Sequence, residues 1–239
     1  MGVERPRRVF ALGGGGFSAE REDILLNDYL LSLAPSGRST RVCFVGTATG
    51  DTPEYRERFQ TAFGSARCVP SELTLFDRTV HDFEAFLGEQ DIVYVGGGST
   101  VNLLAIWRAH GFDTAIREAY ERGVVMSGVS AGMNCWFEAS ITDSFALDQL
   151  APLPDGLGLI AGSACPHYDG EEQRRPTYRA AVAAGFLAGY AAEDCVGLLF
   201  ENGRLREAVS SRPASRAYRL GLRDGAVIED ELPTRYLGD

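Results

Sequence analysis

The stretch Val124-Val125-Met126-Ser127-Gly128-Val129-Ser130-Ala131-Gly132-Met133-Asn134 decides how the chain is read. A short apolar run reads as a buried strand, and a helix-capable segment follows Gly132. Between them Gly-Val-Ser-Ala-Gly matches a nucleophile elbow, a tight strand-to-helix turn with a serine at its apex. Such a turn needs small flanking residues, because the serine backbone is strained and the chain passes close to itself. It would aim the Ser130 hydroxyl out of a sheet and leave the Ala131 N–H to receive an oxyanion. A glycine-bounded turn with a serine helix cap has the same local pattern. The rest of the chain has to separate the two.

Composition narrows the class. The chain has 239 residues, 45 % of them apolar, enough for one sizeable core, and is read as a single domain over residues 1–239. Its net charge of −10 argues against a nucleic-acid partner, which calls for clustered positive charge. All 23 basic residues are arginine and none is lysine, which excludes a catalytic lysine, a Schiff base and a P-loop lysine. The cysteines Cys43, Cys68, Cys135, Cys165 and Cys195 have no short spacing. They make neither a zinc site nor a disulfide framework and suit a reducing compartment. No metal and no cofactor is expected. The apolar run behind the N-terminal arginines dissolves into glycines and is too short for a signal peptide or a membrane span. A cytoplasmic protein without membrane attachment is the expectation, and a homodimer is admitted as its assembly.

Outward from the elbow, strands and helices alternate. Val9–Leu12 runs into Gly13-Gly14-Gly15-Gly16-Phe17-Ser18, and helical spacing spans Asp23 to Leu33. A strand is expected at Arg41 to Gly46, a helix from Thr52-Pro53 to about Phe63, and a strand at Ser71 to Leu75. Helical spacing over Thr79 to Leu87 precedes Asp91–Val95, a strand that runs into Gly96-Gly97-Gly98-Ser99-Thr100. Helices follow at about Val101–Trp107 and Phe112–Arg122. This rhythm predicts a doubly wound α/β fold, a mostly parallel sheet with helices on both faces. Beyond the elbow, Ser144 to Gly158 reads as loop, with short strands at Leu159-Ile160 and Ser163–Cys165 and a helix over Gln173 to Ala184. The C-terminal part reads as antiparallel hairpins. Gly197–Phe200 turns at Asn202-Gly203 into Leu205–Val209, and Tyr218–Leu222 pairs with Ala226–Asp230.

Two glycine loops, Gly13–Gly16 and Gly96–Gly98, should share a sheet edge with Ser130. Bare backbone N–H groups there can cradle a phosphate or an oxyanion. With the elbow beside them, an oxyanion hole of Gly97 or Gly98 plus Ala131 is the sharper reading. The first loop lacks the G-x-G-x-x-G spacing of a dinucleotide site. A serine nucleophile needs a base. His81 and His110 read as surface or cap residues, which leaves His167, at a strand end between proline and glycine. The acid that orients it is open among several residues. Asp143 would follow the order serine, acid, histidine. Asp194, or Glu193 one register step away, would follow the order serine, histidine, acid.

Four ordered motifs carry a resemblance. They are Gly13–Ser18, Val95-Gly96-Gly97-Gly98-Ser99-Thr100-Val101-Asn102-Leu103-Leu104, Gly128–Gly132 and Cys165-Pro166-His167-Tyr168. Over roughly residues 9 to 210 the chain resembles the peptidase E family, serine peptidases of the aspartyl dipeptidase type related to cyanophycinases. The resemblance implies a class I glutamine amidotransferase-like fold, Ser130 as nucleophile, His167 as base, Gly97 or Gly98 with Ala131 as oxyanion donors, and Asp194 as acid. It implies hydrolysis of small peptides. Two features depart from the family's well-known members, whose third residue is glutamate and whose segment after the histidine is longer and less acidic. Within that segment Arg174 or Arg175 could hold a substrate carboxylate by a bidentate pair, unless Asp169, Glu171 and Glu172 neutralise them. A silent small-anion binder and a cyanophycinase-like isopeptide hydrolase are the alternative readings.

Overall fold

A computed structural model describes residues 5–18, 24–64, 68–146 and 149–238. Its first strands are β1 (Arg8–Leu12), β2 (Thr40–Val45), β3 (Cys68–Leu73), β4 (Ile92–Val95) and β5 (Val125–Val129). All five are parallel, in the order β1-β5-β4-β2-β3. The inner strands β1, β5, β4 and the end of β2 are buried on both sides because both faces are covered, whereas β3 is a partly exposed edge. Val9, Ala11, Val93, Val95 and Met126 point into one core cluster, and Phe10, Leu12, Ile92, Tyr94, Val125 and Val129 into another. Helices α3 (Phe83–Gly88), α4 (Thr100–His110) and α5 (Phe112–Glu121) cover the first face through Leu87, Leu103, Trp107 and Ile116. Helices α1 (Ile24–Ser32) and α2 (Pro53–Phe63) cover the second through Leu26, Leu30, Phe59 and Phe63. This is the class I glutamine amidotransferase-like α/β fold, with its parallel core doubly wound.

The chain then departs from simple alternation. After the single turn α6 (Ala131–Asn134) come β6 (Phe137–Ala146), β7 (Gln149–Leu153), β8 (Ile160–Cys165), α7 (Arg174–Ala183) and β9 (Gly189–Ala192). Next are β10 (Val196–Glu201), β11 (Arg204–Ser210), β12 (Ala217–Arg223), β13 (Ala226–Leu232) and β14 (Thr234–Tyr236). Strands β10, β11 and β14 extend the first sheet beyond β1, so that it has eight strands. The others form a second, six-stranded sheet in the order β13-β12-β9-β8-β6-β7. Helix α7 packs on it through Tyr178 and Val182, against Ile141, Tyr168, Tyr218 and Leu220.

The stretch read as loop, Ser144 to Gly158, therefore contains the end of β6 and all of β7. Pro152 is tolerated because β7 is an edge strand, where one ladder donor can be missing. The expected helix from Thr79 begins only at Phe83, since the Asp82 carboxylate accepts the Ala85 N–H and caps it there. Strand β3 begins three residues before the expected Ser71. The expected start of the first helix, Asp23, lies outside the described residues. The two hairpins are as read. Asn202 and Gly203 both have positive φ, 50° and 76°, as a two-residue type I′ turn requires. Arg223 pairs with Ala226 across the second turn. None of the five cysteines is in a disulfide and all are buried, and burial pushes the Cys43 and Cys165 thiols up to about 12. Among the described residues no helix is long and apolar enough to cross a membrane.

Candidate active site

The loops leaving the C-terminal ends of β1, β4 and β5 meet at one edge of the first sheet. Ser130 N–H donates to Leu12 O at 3.1 Å, and a Cβ placed on Gly97 would lie 3.8 Å from Ser130 Oγ. The turn around Ser130 is tight. A Cβ on Gly128 would meet Gly132 O at 2.5 Å, and one on Gly132 would meet Val95 O at 2.2 Å, so neither position has room for a side chain. Ser130 itself sits at φ 57°, ψ −111°, a conformation an L-residue adopts only at a cost. Six non-glycine residues among those described have positive φ, and three of them, Ser130, His167 and Cys195, are gathered at this edge. Strain concentrated in one place is a mark of function, whereas Asn202 and Asp224 merely form hairpin turns.

His167 follows the end of β8, and Asp194 lies in the turn between β9 and β10. His167 Nδ1 and Asp194 Oδ1 are 2.7 Å apart, with side chains 24 % and 33 % exposed. The hydrogen bond from His167 is the foremost reason that the Asp194 carboxyl is held below its ordinary range, against burial, which works the other way. The first glycine loop braces this pair. Gly13 O accepts the His167 N–H at 3.2 Å, and Gly14 O accepts the Cys195 N–H at 3.1 Å. The loop read as a cradle is thus folded against the histidine and the aspartate. Phe17, from the same motif, points the other way, into the aromatic core beside Phe44, Phe59 and Tyr94.

The rival acids are placed elsewhere. Glu193 accepts the Arg216 N–H at 2.7 Å and the Tyr218 O–H at 2.9 Å, on the opposite side of the chain from Asp194. Asp143 is half-exposed, 3.8 Å from Arg174. Among the described residues no hydrogen bond joins His167 to the Ser130 hydroxyl; the two are brought to one edge without one. His81 and His110 lie elsewhere, His81 ahead of the Asp82 cap and His110 at the last position of α4.

The arginines read as substrate ligands are otherwise engaged, which corrects that expectation. Arg174 is only 2 % exposed; its guanidinium donates to Glu171 through Nε at 2.6 Å and to Ile141 O at 3.2 Å. Arg175 lies over the rings of Tyr168 and Tyr218 and pairs with Glu229. Arg174 thus spends a donor from each of its three nitrogens inside the protein, and its burial keeps the remaining ones from a ligand. Tyr168 O–H and Arg179 also donate to Glu229, at 2.9 and 2.6 Å, which ties β13 to the loop carrying His167. Burial alone would raise the Glu229 carboxyl, yet these three partners outweigh it and hold it below its ordinary range. Its side chain is 7 % exposed and its arginines about half, so a Glu229→Gln variant should lose about 2 kcal/mol, between the values of exposed and buried pairs. For a chain of this size that lowers Tm by about 4–8 °C. A depressed carboxyl contributes stability above its unfolded pKa and loses it as pH falls through the folded one. The Tm gap between variant and parent should therefore close below about pH 4, the range of an unperturbed glutamate.

On the oxyanion side the structure separates the expected donors. Gly97 N–H is taken by the Tyr55 hydroxyl at 3.1 Å, whereas among the described residues Gly98 N–H donates to nothing. Ala131, at the first position of α6, has no partner for its N–H within that helix. A cavity of about 380 Å³ opens beside this loop, lined by Thr49, Glu54, Tyr55, Arg58, Gly97 and Gly98. Tyr55 and the bracing by Gly14 were not visible in the sequence, because both depend on how separate loops are packed.

Comparison with known proteins follows the same outline. The model of peptidase family S51 matches residues 9–208. The uncharacterized peptidase YgaJ of Bacillus subtilis is 44 % identical over 235 residues, covering 97 % of this chain and all of that protein. Peptidase E of Streptomyces coelicolor is 31 % identical over 144 residues, 59 % of this chain and 56 % of that one. Among solved structures, a peptidase from an acI-B1 actinobacterium superposes with a TM-score of 0.67 at 15 % identity, over 97 % of this chain and 96 % of that one. A Listeria monocytogenes protein described as a peptidase E gives 0.59 at 20 % identity, over 95 % and 99 %.

Proposed function

The chain belongs to peptidase family S51 and is a serine peptidase; from that premise we propose that it hydrolyses small peptides through Ser130, His167 and Asp194. The observation that carries this reading is the 2.7 Å contact of His167 Nδ1 with Asp194 Oδ1, at the sheet edge where Ser130 is held in a strained turn. With Nδ1–H donating to the aspartate, Nε2 keeps its lone pair and can take the Ser130 proton. The freed oxygen attacks the scissile carbonyl. Negative charge then gathers on the carbonyl oxygen, which Gly98 N–H and Ala131 N–H are offered to receive. Collapse of the tetrahedral adduct breaks the C–N bond, and His167 returns its proton to the leaving amine. Water, deprotonated by the same imidazole, releases the acyl group from Ser130. Asp194 remains ionised throughout and stabilises the imidazolium that forms.

The aspartyl preference of the family's known members receives no support from Arg174, which is buried against Glu171, or from Arg175, which is paired with Glu229. The substrate class proposed is therefore small peptides, with the first residue left to experiment. A fluorophosphonate probe should modify a single serine, and peptide mapping should place it on Ser130. Profiling hydrolysis over a dipeptide library should then yield cleaved members. Label on another residue, or an unlabelled protein that cleaves nothing, would leave a silent binder as the better description.

A further inference from the structure

The loop after β4 carries three consecutive glycines, so no side chain of its own holds it in one conformation. It is fixed instead by its backbone donors. Gly96 N–H donates to Val45 O at 3.0 Å, Gly97 N–H to Tyr55 Oη at 3.1 Å, and Ser99 N–H to Ala48 O at 2.9 Å. Of these four successive donors Gly98 N–H alone has no acceptor among the described residues. Gly98 has φ +131°, and a Cβ there would lie 2.4 Å from Ala48 O, so the position needs both the conformation and the bareness of glycine. Two of the three anchors are carbonyls of the sheet and its adjoining loop. The third is a side chain, and it holds the residue that abuts Ser130.

Tyr55 is well placed to be a rigid anchor. It lies in the first turn of α2, with its ring 5.4 Å from that of Phe17 and 5.1 Å from that of Phe44. Gly96 gives it room, since a Cβ at that position would come within 2.7 Å of Tyr55 Cε1. The geometry points to Tyr55 as a positioning residue for the oxyanion side of the site. By accepting the Gly97 N–H it fixes the Gly96–Gly97 peptide plane; with the Gly98–Ser99 plane anchored through Ser99 N–H, the Gly97–Gly98 plane that carries the Gly98 N–H is held between two fixed ones. The inference rests on the serine-hydrolase reading above and adds which loop amide serves the oxyanion and what aims it. A donor aimed beforehand stabilises charge in the transition state without reorganising, and contributes little to binding the neutral ground state.

The test is Tyr55→Phe, which keeps the ring and removes the hydroxyl that accepts the Gly97 N–H. With p-nitrophenyl acetate as substrate, kcat should fall roughly 10- to 100-fold with KM within about twofold, less than for outright loss of an oxyanion donor. The second-order rate of fluorophosphonate labelling should fall by the same factor, while Tm stays within about 2 °C of the parent, as for a substitution of about 0.5 kcal/mol. Labelling and turnover at the parental rate would overturn the assignment and leave the hydrolase reading intact. So would a loss of activity matched by a large fall in Tm, because that is a packing role. A parent protein that never labels would overturn both.

Discussion

The Ser130→Ala variant is expected to lose about 10⁶-fold in kcat, the scale seen when the nucleophile of a serine hydrolase is removed, while folding normally. Nothing in the packing opposes the change. Ser130 Oγ makes no hydrogen bond among the described residues, and the backbone bonds that shape the turn, Ser130 N–H to Leu12 O and Met133 N–H to Ser130 O, do not involve the side chain. Ser130→Gly carries the argument further. At φ 57°, ψ −111° the serine occupies a region open mainly to glycine, a strain of about 1–3 kcal/mol. Glycine relieves it and loses about 0.4–1 kcal/mol through the greater freedom of its unfolded chain. The inactive glycine variant should therefore be more stable by about 1 kcal/mol, seen as a rise in Tm of about 2–4 °C. The alanine variant keeps the strain and should match the parent. A glycine variant less stable than the parent would mean that the turn stores no strain, and the case for a purposely strained serine would fall.

Much of this candidate site is legible in the sequence, and the limits have physical causes. Strands β1, β4 and β5 coincide with short apolar runs, Val9–Leu12, Ile92–Val95 and Val124–Met126, because both of their faces are buried, so they stand out in the sequence. The side-to-side alternation of extended chain separates Glu193 from Asp194, and they do face opposite ways, toward Tyr218 and toward His167. Strand β9 was invisible. Gly189-Tyr190-Ala191-Ala192 has no β-branched residue, and its pairing depends on Gly189 lying so close to Ser163 that a Cβ would come within 1.9 Å of its carbonyl oxygen. The place of Arg174 is ambiguous in the sequence for a related reason. An arginine beside three acids in sequence resembles a solvated cluster or a ligand, and only the fold buries it under β6 with Glu171 and the Ile141 carbonyl. Tyr55 gave no signal, since nothing in a helix sequence reveals which loop its hydroxyl will meet.

Replacing Gly14 by alanine should disable the enzyme nearly as fully as replacing Asp194, without touching any reacting group. An alanine Cβ there would lie 2.0 Å from Asp194 Oδ1 and 3.1 Å from His167 Nδ1. On its other side the carboxylate lies close against Gly170, where a Cβ would meet Asp194 Oδ2 at 2.4 Å, so it already fills the gap between the two glycines. Two bare positions thus let the Asp194 backbone approach closely enough for a side chain one methylene shorter than glutamate to reach the imidazole. Gly14 does not have positive φ, unlike Gly15 and Gly16, so alanine meets no backbone penalty and the effect is a collision alone. The Asp194 carboxylate must swing away and break its contact with His167. For Asp194→Asn, the carboxamide donates to Nδ1 and fixes the proton on Nε2, where the ring can no longer take one from Ser130; the expected loss is about 10⁴-fold in kcat. Gly14→Ala should fall within about tenfold of that value, with a Tm drop of several degrees, since Gly14 is buried and overpacking costs about 1–3 kcal/mol. Gly88→Ala is the control: it lies at the end of α3 with nothing within 4 Å of the new Cβ, and should leave turnover unchanged. A Gly14→Ala enzyme as active as the parent would show that the aspartate can move without cost, and Asp194 would lose its place as the residue that orients His167.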